Sequence, residues 1–237
     1  MKNSEVRILL GVIILLLLVI ASAAFVRDNN SFSYNEYLDE ELFVLSDKEK
    51  GGSEPDTVTL RDFGFYIYWV ESFTQQQARK YNYKDPSDYW NTHFSAGEDS
   101  QYVSVMAKNA AADACIGDMV YARMAHEAGF ELTDEDKQSI DDKTDEWMDS
   151  ISEEQLGILG LDRARVKNMI SRQLLAKAYA LEYAKTADLT GYKGDVSVLL
   201  SGGGDYFEDK LLSRYSLRKN KKIFSALNFG RITVNRE

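Results

Sequence analysis

From Val103 to Ala128 the chain sets Val103, Ala107, Ala110, Ala114, Gly117, Tyr121, Met124 and Ala128 at alternating steps of four and three. That spacing lines one face of an α-helix, and most of the residues on it are too small to hold a neighbour at arm's length. A second helix must come close to this face. The pattern predicts a long helix from about Asp99 to Ala128, central to a mainly α packing, with Gly129 closing it as a C′ glycine.

Other helices announce themselves by their first turns. Thr59 precedes a run in which Leu60, Phe63, Ile67, Val70 and Phe73 recur at helical spacing. "TDED" at 133–136 and "SEEQ" at 152–155 have the form of capping boxes, and Asp162 stands before a helix with Val166, Ile170, Leu174, Ala178 and Leu181 along one face. Pro86 suits the first turn of a short helix that carries Trp90. Two β-prone runs, 42–47 and 56–60, flank "KEKGGSEP" and predict a small hairpin. Further on, "DVSVLLSGGGDYF" reads as a strand and a glycine-rich turn.

The first residues pose a separate question. Residues 8–26 contain no charge, follow Lys2 and Arg7, and match the length of a membrane-crossing helix. The flanking charges place the bulk of the chain outside the cytoplasm, as a single-pass membrane protein. Cleavage at Ala21-Ser22-Ala23 would instead release a secreted form. Four segments follow from this reading: a signal anchor or signal peptide (1–26), a spacer with the start of the hairpin (27–55), a helical domain (56–187) and a basic C-terminal segment (188–237).

Charge separates the same regions. The net charge is −10, residues 1–26 carry +1 and residues 210–237 carry +7, which leaves −18 for residues 27–209. So acidic a body argues against nucleic acid as a partner. The cluster Arg218, Lys219, Lys221 and Lys222 reads either as a surface for anionic lipid or cell-wall polymer, or as a solvated face docked on the acidic middle.

Catalytic signals are sparse. Residues 131–154 hold eleven Asp and Glu, yet no window supplies the glycine of a calcium loop. Cys115 is the only cysteine, and His93 and His126 are not spaced as ligands on one turn. No metal or cofactor is expected, and no catalytic residue can be assigned. The triplet "DFG" at 62–64 lacks every other element of a kinase.

In order, "VTLRDF", "DYWNTHF", a long Ala-rich helix, "AGFELTDEDK" and "LGLDRARVKNMISRQLLAKAYALEYA" resemble the peptide-binding region of the SurA/PrsA family of extracytoplasmic foldases, over roughly residues 56–187. The resemblance implies a multi-helix fold of the SurA N-terminal and trigger-factor kind, and unfolded or exported polypeptides as partners. Family members add a parvulin domain with paired histidines for prolyl isomerisation, whereas residues 188–237 contain no histidine. The expectation is a holding protein without the isomerase. A prolyl isomerase of that family, or a structural partner in the cell envelope, are the alternatives.

The family likeness also bears on "DFGFYIYWVESF" (62–73), where six aromatic rings fall within eleven residues. Either the helix is buried on several sides, or it offers rings to a client chain. Under the second reading Phe65, Tyr66, Tyr68, Trp69 and Phe73, with Trp90, form the peptide-binding surface.

Overall fold

In the computed structural model, which describes residues 33–48, 54–94 and 100–236, the Thr59 side chain accepts the amide of Asp62 while the Asp62 carboxylate accepts the amide of Thr59. This reciprocal cap opens helix α1 (Leu60–Tyr81) and removes two of the orphan donors of its first turn. The expected anchor at 8–26 and its cleavage site fall outside the described residues. No helix among the described residues is long and apolar enough to cross a membrane.

Ahead of α1 run strands β1 (Glu41–Asp47) and β2 (Asp56–Thr59), the expected hairpin, paired antiparallel. After it come α2 (Ser87–Trp90), α3 (Val103–Glu127), α4 (Asp134–Ser150), α5 (Glu153–Leu159), α6 (Arg163–Ala184) and α7 (Val196–Leu200). Strand β3 (Tyr215–Lys219) and helix α8 (Lys221–Ala226) complete the order.

The capping residues read from sequence act as such. Thr133, Ser152 and Asp162 each accept the amide three residues on, starting α4, α5 and α6. At the other end of α3, Gly129 has φ +64. Its amide bonds to the carbonyl of His126, and the next amide, of Phe130, to Ala125. These are the two bonds of a Schellman stop.

Helix α3 is the axis against which α1 and α6 pack. Ala107, Ala111, Ala112, Cys115, Ile116, Met119 and Ala125 are all buried, so the helix is covered on more than one face. The single stripe expected from sequence is therefore incomplete. Ala110 and Ala128 are exposed, and the helix starts at Val103. The reason is that small residues surround the whole middle of α3, so neighbours approach from several directions.

One expectation for the C-terminal segment changes. The "DVSVLL" strand is instead helix α7, because the Asp195 carboxylate caps it through the amide of Ser197 at 2.8 Å and Leu199 and Leu200 are buried side by side. The strand of this region lies later, in β3, which pairs antiparallel with β1 and puts β1 at the centre of a three-stranded sheet. Phe43 of β1 meets Phe63 of α1 and Phe224 of α8 edge-on, at 5.5 and 6.0 Å between ring centres. Residues 34–237 thus form one compact unit that includes the basic segment. Within it Arg218 pairs with Glu41 at 2.6 Å and Lys219 lies 4.4 Å from the Phe224 ring centre.

The chain's end is strapped across α1. Glu71, wholly buried, accepts the amides of Gly230 (2.6 Å), Ile232 (3.3 Å) and Thr233 (2.6 Å) and the Thr233 hydroxyl (2.6 Å). Burial holds its carboxyl above the ordinary range, and these four donors work against that rise. Gln75 continues the strap, bonding Asn235 at 2.7 Å and the Trp90 indole N–H at 2.7 Å.

Candidate functional site

Between α1, α3, α4, α6 and α7 the packing leaves a groove of about 950 Å³, walled mostly by carbon. Its cause lies in small side chains. Ala114 and Gly117 on α3 face Ala176, Ala180 and Ala184 on α6, and none fills the space between the helices. Along α6 the lining runs from Ile170 to Ala184, about 20 Å of helix at 1.5 Å per residue. One wall is aromatic: Phe65 of α1 stacks on Trp147 of α4 with ring centres 5.3 Å apart and planes 17° from parallel. At the far end α7 contributes Val196 and Leu200.

Large apolar side chains crowd the mouth. Trp69, Leu181 and Val196 all line the groove and are 53%, 63% and 46% exposed. Phe73 lies one turn beyond Trp69 on α1 and is also exposed. Soluble chains seldom leave such residues together in water unless something covers them.

The six rings offered by the sequence divide between core and groove. Tyr66 is fully buried, with its hydroxyl on Asp118 Oδ2 at 2.9 Å. Trp90 is buried under the C-terminal strap. Tyr68 is buried against Trp147 and donates to Ser150. Phe65 is 3% exposed and reaches the groove only as part of its wall. Tyr66, Tyr68 and Trp90 are thus not open surface, because the helix carrying the first two is packed on several sides. Trp69 and Phe73 are. What sequence reasoning missed is the rest of the lining, on α6 and α7, whose alanines give no local sign of a void.

Few polar groups enter the groove. Asp118 sits on its floor next to Gly117, and burial pushes its carboxyl up to about 6, with the Tyr66 hydroxyl and the Arg172 charge pulling the other way. Tyr121 donates to the Leu200 carbonyl at 2.6 Å and so ties α7 to α3. Lys143 and Lys177 stand exposed on the rim.

Neither histidine joins this site. His93 bonds Ser100 at 2.7 Å and is not among the residues that line the groove. His126 lines a separate cavity of about 240 Å³ with Asp56, Arg123, Ser171 and Arg172. The Asp56 carboxylate there is engaged by Arg123 at 3.0 Å, and no hydrogen bond joins it to His126 among the described residues. Cys115 is buried, and burial pushes its thiol up, away from the reactive thiolate. Among the described residues no three His, Cys, Asp or Glu side chains gather as a metal site.

Comparison of the chain with protein-family models, curated proteins and solved structures gives no match. The arrangement itself therefore carries the functional argument.

Proposed function

We propose that this chain is a non-enzymatic, chaperone-like protein that holds apolar segments of unfolded polypeptides in the groove between α1, α3, α4, α6 and α7. The observation that carries the reading is the open apolar groove with Trp69, Leu181 and Val196 exposed along it. A length of about 20 Å accommodates roughly six residues of extended chain. Carbon walls without a converging set of polar groups suit sequence-tolerant contacts, each worth about 1–3 kcal/mol for a large side chain fully covered. Several must act together, since ordering a flexible client costs entropy at each residue fixed. The acidic body keeps such a surface soluble. The uncharged run 8–26 supports placement outside the cytoplasm, anchored or released, and the likeness to extracytoplasmic foldases points the same way.

The test is suppression of aggregation of an unfolded model protein. The full chain should suppress it, and Ala180→Trp, which fills the groove from α6, should abolish the effect while the melting temperature does not fall. Undiminished suppression by a folded Ala180→Trp variant sinks the proposal.

A further inference from the structure

Among the described residues, Asp118 is one of two acids that line the groove. Its Oδ2 accepts the Tyr66 hydroxyl at 2.9 Å, whereas no donor among the described residues meets Oδ1. The groups that face it are known on each side: Tyr66 from α1, Cys115 a turn back on α3, and Arg172 from α6. Arg172 acts on Asp118 through space, with no hydrogen bond or ion pair between them, and its own Nη1 is buried without a partner. The other acid of the lining, Asp195, is occupied in capping α7. One oxygen of a carboxylate that lines an apolar trough therefore has no donor among the described residues.

Building on the polypeptide-binding reading above, we propose that Asp118 makes the groove selective for segments in which a lysine or arginine is flanked by apolar residues. The ligand's cation meets Oδ1, and its neighbours fill the space left by Ala114, Gly117 and Ala180. A charge-assisted hydrogen bond in such surroundings is stronger than one in water. Lys143 and Lys177 oppose it weakly, because they stand exposed on the rim, where water and salt screen them, and Arg172 opposes it from a distance without occupying Oδ1. The charge of −18 over residues 27–209 favours the same sign of ligand at longer range. A cation beside Asp118 also draws down a carboxyl now held near 6, so binding near pH 6 expels protons.

The experiment uses the full chain and three blocked peptides rich in Leu and Phe that differ only at a central residue: lysine, norleucine or glutamate. Calorimetry should give the lysine peptide roughly tenfold tighter than the norleucine one, with proton release at pH 6 seen as a dependence on buffer ionisation enthalpy. In Asp118→Asn, which still offers Tyr66 an acceptor, the lysine-to-norleucine ratio should fall to near one. Equal binding of both peptides to the parent chain overturns the selectivity and leaves the groove reading standing. Binding of neither overturns both. A glutamate preference, or a lysine preference kept in Asp118→Asn, or no proton release, removes Asp118 from the role.

Discussion

Thr233 donates both its amide and its hydroxyl to Glu71 Oε2, each at 2.6 Å, although the two residues stand 162 positions apart in the chain. With the Gly230 amide on the other oxygen, at 2.6 Å, one carboxylate gathers most of the hydrogen bonds that hold residues 230–235 to α1, and Gln75 adds its bond to Asn235. Glu71→Ala should therefore cost about 3–5 kcal/mol in urea unfolding, since it strands buried amides that have no other acceptor. Removing residues 229–237 should cost a comparable amount, and the two changes together little more than either alone. Additive losses would mean that the strap is held by something other than Glu71.

Asp118 gives the fold a defined response to pH. Its carboxyl is raised from 3.8 to about 6, so the folded chain holds a proton that the unfolded chain has released. Its contribution to stability is complete below about 3.8 and is lost as pH rises through 6. At one pH unit per 1.4 kcal/mol the total is on the order of 1–3 kcal/mol. Asp118→Asn should remove that slope, becoming more stable relative to the parent between pH 4 and pH 7. An unchanged difference across that interval refutes the assignment.

The rings of α1 should sort by burial. Phe65→Ala should lower stability by about 3–5 kcal/mol, because it empties the wall against Trp147. Trp69→Ser and Phe73→Ser, both on exposed positions, should stay within about 0.5 kcal/mol of the parent. Thermal melts separate the two classes directly, and a large loss in Trp69→Ser would place that ring in the core.

Glycine substitutions should diverge as sharply. A Cβ at Gly202 would lie 1.9 Å from the carbonyl oxygen of Asp113, so Gly202→Ala must force the turn after α7 away from α3. A loss of about 2 kcal/mol or more is expected. Gly157, inside α5 with nothing within 4 Å, should gain about 0.5–1 kcal/mol as alanine. Denaturant midpoints at one pH test both.

A proline-limited refolding assay should show no acceleration by the full chain beyond that of an inert protein. Acceleration lost in His93→Ala or His126→Ala would instead restore the isomerase alternative.

Local chemistry made much of the fold legible. Thr59, Ser152 and Asp162 cap helices because their side chains reach amides three residues away, a relation visible in any short window. Long-range pairings were not. Val196 and Val198 alternate as in a strand, and only the Asp195 cap and the adjoining buried leucines make that stretch helical. Strand β3 carries Arg218 and Lys219 and gains its identity from β1, at the other end of the chain. Glu71 gave no sign of its partners for the same reason. For the site, sequence located Trp69 and Phe73, but burial of Tyr66, Tyr68 and Trp90 is decided by α3, α4 and the C-terminal strap.

The central place of β1 has a consequence for synthesis. Phe43 and Val44 pair with Lys219 and Arg218, so the hairpin, complete at Thr59, waits through about two-thirds of the chain for its third strand, which starts at Tyr215. Until then one edge of β1, with Leu42, Phe43 and Leu45 beside it, has unpaired amides and carbonyls and an uncovered apolar face. A ribosome-stalled or truncated product ending before residue 215 retains that edge. Such fragments should self-associate, and the finished chain escapes this fate only when its last elements arrive.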